Sequence, residues 1–180
     1  PTMYRMMIKE DLRKYDLSSV KHASIAGEAL NPEVFKQMEE LTGLQVMEGF
    51  GQSETTLCIG NLYGNAHKVG SMGKPVPIYD IVLVDHDGKP VEVGESGEIC
   101  IRTDKGIPCG LFTGYYRDEE KTKEVWHDGL YHTGDVAWQD EDGFLWYVGR
   151  AADVIKSSGD PIGPVEIESV NMEQAYVLEC

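Results

Sequence analysis

The sequence predicts a mixed α/β fold: the end of an α/β layer, then a small β-barrel or curled sheet, then the start of a small α+β unit. Three observations carry this reading. A strand–helix–strand order precedes Gly49, closely spaced β-rich runs with turn chemistry follow Gly70, and the texture changes again after Arg150. The expected units are 1–69, an α/β nucleotide-type layer, 70–150, a β-barrel-like unit, and 151–180, the beginning of a further unit.

Met3, Met6, Met7 and Leu12 recur at helical spacing, so a helix with one buried face is expected over 2–14, ended by Asp16-Leu17-Ser18-Ser19. Val20 to Ala26 reads as a short strand running into Gly27-Glu28-Ala29. Asn31 followed by Pro32 has the form of an N-cap and first helical residue, and Gly43 stands where that helix would stop. Leu44 to Met47 is a second short strand, entering a Gly-rich turn at Gly49. In such units ligands gather at the carboxyl ends of strands. Tyr79 to Val84 and Gly97 to Arg102 are β-rich, separated by the turn residues Asp85-His86-Asp87-Gly88 and Gly94-Glu95-Ser96-Gly97. Arg117 to Trp126 reads as a short charged helix. Strands near 135–138 and 144–149 flank the turn Asp140-Glu141-Asp142-Gly143, and Asp153 to Lys156 is a strand before a helix opened by Pro164.

Composition narrows the function classes. An apolar fraction of 41% with three Trp is ordinary for a globular chain. Sixteen Lys and Arg against 31 Asp and Glu give a formal charge of −15, which argues against nucleic acid or anionic membrane partners. No apolar run approaches the roughly 20 residues needed to span a bilayer. Cys58, Cys100, Cys109 and Cys180 are scattered without Cys-x-x-Cys spacing, so reduced thiols in a cytoplasmic enzyme are expected rather than a disulfide framework or a zinc site. His22, His67, His86 and His127 likewise lack ligand spacing. The chain starts at Pro1 and stops at Cys180 within an apolar run, so both ends read as cuts through a longer protein, with apolar surface that would favour self-association or a homo-oligomer.

The chemistry is concentrated in three motifs that follow one another: Glu48-Gly49-Phe50-Gly51-Gln52-Ser53-Glu54-Thr55-Thr56, then Tyr131-His132-Thr133-Gly134-Asp135, then Gly149-Arg150. Gly49 and Gly51 allow backbone to approach a flat ligand, and Phe50 between them can pack on a purine face. Asp135, at a loop-to-strand junction, could accept both hydroxyls of a ribose; a surface salt bridge with Arg150 is the plainer alternative. Tyr147 suits either a purine pocket or an ordinary strand core. Ser53 and Glu54 add a hydroxyl and a carboxylate beside the Gly-flanked aromatic.

In this order the motifs resemble the signature of adenylate-forming (AMP-binding) enzymes, most closely the medium-chain branch of the acyl-CoA synthetases, and the resemblance covers essentially the whole chain. It implies a ligase that joins a small carboxylic acid to ATP, giving acyl-AMP and pyrophosphate, and then to the thiol of coenzyme A. ATP or AMP, Mg²⁺ and coenzyme A are the implied cofactors and substrates, with small to medium fatty or aryl acids as the acid class. By resemblance, Glu48 to Gln52 border the adenine, Gly27-Glu28-Ala29 is a second adenine-side loop, and Ser53 contacts the α-phosphate. Glu54 is the Mg²⁺ ligand, Asp135 the ribose ligand, and Arg150 reaches ribose and phosphate. The run from Gly149 to Gly159 resembles the family's hinge, and Ser158 and Gly159 match positions lining the pantetheine tunnel. Adenylation needs no general base, since carboxylates are already ionised near neutral pH, so His132 is read as structural.

Two departures bear on this. Ala152 stands where the family usually has Asp, and Pro161 where it usually has Arg. A Pro offers no guanidinium, so weakened phosphate contact in at least one half-reaction is expected, which restoring Arg at 161 would reverse. The family's Gly/Ser/Thr-rich phosphate loop and far C-terminal Lys do not appear in this sequence, so the chain alone is expected to be inactive. The alternatives are an adenylation domain acting on a carrier protein and a non-catalytic nucleotide-binding remnant.

Overall fold

The computed structural model describes residues 2–27, 30–157, 160–164, 167 and 170–171. Its first layer runs α1 (Thr2–Met7), a 3₁₀ turn (Leu12–Lys14), β1 (Ala23–Ile25), α2 (Pro32–Thr42) and β2 (Val46–Gly51). The boundaries of α2 follow from local chemistry. Asn31 Oδ1 accepts the Glu33 N–H at 2.8 Å, and Gly43 closes the last turn at φ 71° with its N–H on the Glu39 carbonyl. Val34, Phe35 and Met38 face Leu12, Ile25, Leu30 and Val46 in the first core, over the parallel pair β1 and β2. The single helix expected over 2–14 is instead split. Asp11 precedes a fresh 3₁₀ turn, and α1 buries no residue completely, leaving Met3 and Met6 more than half exposed. Short polar side chains such as Asp compete for backbone groups and interrupt helices.

The Gly-rich segment expected as a turn at Gly49 is still strand. β2 continues to Gly51 and pairs antiparallel with β3 (Leu57–Gly60), an element the sequence reading missed, with a register shift between Phe50 and Gly51. The glycines serve this crossing: a Cβ on Gly51 would lie 2.4 Å from the Thr56 carbonyl oxygen. β3 pairs with the two-residue β4 (Lys74–Pro75). Just before β4, Gly73 has φ +98° and lies so close to Gly60 that a Cβ would fall 2.1 Å from the Gly60 carbonyl carbon.

The second layer contains β5 (Ile81–Val84), β6 (Ser96–Arg102), α3 (Glu119–Val125), β7 (Trp126–His127), β8 (Leu130–Gln139) and β9 (Leu145–Arg150). They form an open, curled antiparallel sheet in the order β5-β6-β8-β7, with β9 also on β8. Backbone bonds from Met72 N–H to the Leu145 carbonyl and from Leu145 N–H to the Gly73 carbonyl, both 2.9 Å, join it to the first sheet. Ile59, Ile99, Ile101, Tyr131 and Leu145 fill the second core. The thiols of Cys58 and Cys100 are sealed inside, where burial raises both pKa values, while Cys109 is exposed. β10 (Ile155–Ser157) and β11 (Asp160–Ile162) then form a short antiparallel pair. The helix expected at Pro164 falls mostly outside the described residues. Among the described residues no helix is long and apolar enough to cross a membrane.

Candidate functional site: a carboxylate bulge facing a glycine-flanked aromatic

Asp135 lies inside β8, not at a loop-to-strand junction as expected. Its presentation comes from a mismatch of register. Glu98 pairs with Val136 but Cys100 pairs with His132, so two steps along β6 match four along β8 and Thr133-Gly134-Asp135 takes up the surplus. Glu98 braces the bulge, accepting the Gly134 N–H on Oε1 at 2.9 Å and the His132 Nδ1–H on Oε2 at 2.9 Å. Cys100 Sγ stands 3.4 Å from the same nitrogen. Thr133 Oγ1 donates to the Ile99 carbonyl at 2.7 Å and accepts the Asp135 N–H at 3.1 Å. His132 is thus engaged with the carboxylate that holds the bulge.

The Asp135 side chain is nearly closed off from solvent yet densely served by donors. Tyr147 donates to Oδ1 at 3.0 Å and Gln52 Nε2 to Oδ2 at 2.6 Å, while Arg150 Nη1 donates to the Thr133 carbonyl and forms an ion pair with Oδ2 at 3.2 Å. Burial pushes the Asp135 carboxyl above the ordinary carboxylate range, and Arg150, Tyr147 and Gln52 offset only part of that rise. The ion pair with Arg150 exists, but at a buried acid rather than on an open surface. Gln52 is fully committed: its amide also donates to the Thr133 carbonyl at 2.8 Å, and its Oε1 accepts the Tyr131 hydroxyl at 2.7 Å. The Tyr147 phenol is pushed up by burial and by the adjacent Asp135 carboxylate, so it stays a donor.

These groups border one cavity of ≈ 610 Å³. Gly27, Glu48 through Glu54, Asp135, Tyr147 and Arg150 all line it, which unites every described residue of the predicted site. The Phe50 and Tyr147 rings stand 6.5 Å apart at 32°. Glu48 plays a different part from its neighbours: Oε1 accepts the Leu30 N–H at 3.1 Å and Oε2 the Gly70 N–H at 3.0 Å, so it ties two loops together. Glu54 accepts the Tyr115 hydroxyl on Oε1 at 2.9 Å. Glu28, Ala29, Ser158 and Gly159 lie outside the described residues. Ala152 occupies an exposed turn after β9, and Pro161 pairs with Lys156 across β10 and β11. The sequence reading missed Arg5 and Met72, which also line the cavity, and Tyr115 and Tyr131, which stand behind it. Tyr131 sat in a recognised motif and could have been found there; Arg5 belonged to a helix read only for its apolar stripe.

Comparison with known proteins gives the same direction. The model of the AMP-binding enzyme family matches residues 1–116. The mitochondrial acyl-coenzyme A synthetase ACSM3 of Mus musculus is 43% identical over 99% of this chain, and the mitochondrial ACSM5 of Rattus norvegicus 45% identical over 99%. The chain spans 31% of the length of each. Among solved structures, the anthranilate CoA ligase AuaEII in complex with anthranoyl-AMP superposes with a TM-score of 0.88 at 34% identity, covering 100% of this chain and 34% of that one. The O-succinylbenzoate coenzyme A synthetase of Bacillus subtilis, in complex with ATP and magnesium ion, gives 0.82 at 27% identity, covering 99% and 36%. Both named relatives are mitochondrial proteins, which overturns the cytoplasmic location expected from the sequence. Scattered reduced thiols and an acidic balance do not distinguish one reducing compartment from another. A buried, donor-rich carboxylate facing a glycine-flanked aromatic, a family model covering most of the chain and a shared fold agree: this chain belongs to the AMP-binding enzyme family.

Proposed function

We propose that this chain forms the adenosine-binding wall of an ATP-dependent carboxylate–CoA ligase. One observation carries the reading: Phe50, Tyr147, Asp135 and Arg150, distant in sequence, line the same cavity as Ser53 and Glu54. The named activities of the relatives, acyl-CoA synthetases and CoA ligases, support it. A carboxylate is a weak nucleophile and the α-phosphate a crowded anion, so the protein contributes mainly position and charge neutralisation.

In this reading the purine rests between Phe50 and Tyr147, and the ribose hydroxyls donate to Asp135. A carboxylate has about four acceptor sites, of which the Gln52 and Tyr147 donors occupy two, so the acid is fixed in place yet still able to accept. Arg150, whose side chain is about half exposed, keeps donors for ribose or phosphate. Ser53, exposed at the cavity, offers its hydroxyl to the α-phosphate. Glu54 would hold Mg²⁺. It fits, because Oε2 has no hydrogen-bond partner among the described residues and a small hard cation takes one or two carboxylates beside phosphate oxygens. The bound cation would neutralise phosphate charge. The acid oxygen attacks the α-phosphate and pyrophosphate leaves; the coenzyme A thiol then attacks the acyl carbon and AMP leaves.

The test is AMP binding by titration calorimetry on the full chain and on Asp135→Asn. Losing charge-assisted bonds to the ribose should weaken binding by about 100-fold, equivalent to about 2.7 kcal/mol. Unchanged affinity would remove the ribose role and the function with it.

A further inference from the structure

Glu54 is held from behind by a residue that does not itself line the cavity. Tyr115, in the loop ahead of α3, donates its hydroxyl to Glu54 Oε1 at 2.9 Å, and the Phe112 N–H donates to the Glu54 carbonyl at 2.7 Å. Tyr115 is fixed in its turn. Its N–H donates to Thr122 Oγ1 at 2.9 Å, and that hydroxyl donates to the Asp118 carbonyl at 2.8 Å. Its ring meets Phe112 edge-on at 5.0 Å, and the Lys121 ammonium sits 4.7 Å from the ring centroid.

An unrestrained carboxylate can bind a cation through one oxygen or both. Ca²⁺ accepts either mode, whereas Mg²⁺ demands near-octahedral geometry and is satisfied by single oxygens. A cation held by both oxygens would have to share Oε1 with the Tyr115 hydroxyl, whereas Oε2 has no hydrogen-bond partner among the described residues. We propose that Tyr115 is a positioning residue for the divalent cation that accompanies the nucleotide phosphates, restricting Glu54 to ligation through Oε2. This deepens the reading of Glu54 as cation ligand and rests on it. Outer partners of this kind commonly set metal affinity by one to two orders of magnitude.

The experiment uses Mn²⁺ as the probe, with ATP present, following the free-ion signal by electron paramagnetic resonance on the full chain. Glu54→Gln should weaken Mn²⁺ binding by about 100-fold, and Tyr115→Phe by about tenfold, with an unchanged melting temperature. In the Glu54→Gln background, Tyr115→Phe should add nothing, because its effect passes through the carboxylate. Normal Mn²⁺ affinity in Tyr115→Phe together with a weakened Glu54→Gln overturns the role of Tyr115 and leaves Glu54 standing. Equal losses that add in the double variant also overturn it, since Tyr115 would then act elsewhere. Normal affinity in Glu54→Gln, or no ATP-dependent Mn²⁺ uptake by the unaltered chain, removes the cation reading itself.

Discussion

Glu48 shows how a residue that lines the cavity can also serve the scaffold. Each of its oxygens accepts one backbone N–H, from Leu30 and from Gly70, and burial is the main reason its carboxyl sits above the ordinary range. An amide in its place would turn an NH₂ toward one of those N–H groups. Glu48→Gln should therefore cost about 1–3 kcal/mol, read as a lower urea midpoint at unchanged slope. The sequence could not distinguish this acid from Glu54, because both are carboxylates beside the same glycines and only their partners differ. Gln52 carries the same lesson: its position in the motif was legible, but its three bonds to Tyr131, Thr133 and Asp135 depend on a strand some eighty residues away. Phe50, Asp135 and Arg150 stand out in the sequence by residue type and motif, and the fold brings them to one cavity.

Turns announced themselves better than strands did. Asp and Gly clusters marked the β5–β6 connection and the β8–β9 hairpin, and Asn31, Pro32 and Gly43 marked α2 almost to the residue. β3 was missed because four residues, Leu57-Cys58-Ile59-Gly60, are too short for alternation to show against the preceding Ser and Thr run. The N-terminal half of β8 was missed because Gly134 suggests a break, whereas the strand absorbs it as a bulge. The β8–β9 turn is itself tied down. Lys68 reaches Asp140 at 2.6 Å and Asp142 at 2.7 Å, and the Trp146 indole N–H also donates to Asp140. Partial burial alone would raise Asp140, but the Lys68 ammonium, the Phe144 N–H and the Trp146 indole outweigh it and hold the acid at about 2, below its ordinary 3.8. A lowered carboxyl stabilises the fold fully above its ordinary value and loses that contribution as pH falls toward the folded value. Acid unfolding followed by circular dichroism should therefore steepen between about pH 4 and 2, and Asp140→Asn should flatten that part of the curve.

Taken whole, the molecule places its cavity where the C-terminal part of β2 meets β8 and β9 of the second sheet, so neither layer alone supplies the site. The layer order was legible from strand spacing and turn chemistry. The union of the layers was not, because the Met72–Leu145 and Gly73–Leu145 bonds join residues with no shared local pattern. Cations are scarce at this junction: Arg5 and Arg150 face Glu48, Glu54 and Asp135. In the proposed function, a divalent ion would supply positive charge that this lining lacks for a bound phosphate.

The sealed thiols turn this architecture into its own clock. Cys109 is open to alkylation in the native state, whereas Cys58 and Cys100 sit among side chains at 0–1% exposure on β3 and β6. An iodoacetamide time course read by peptide mass spectrometry should label Cys109 first, with Cys58 and Cys100 following far more slowly, at the rates at which the cores around them open. If Cys58 were labelled well ahead of Cys100, β3 would peel away independently, and the wall bearing Phe50 would be a separately breathing part.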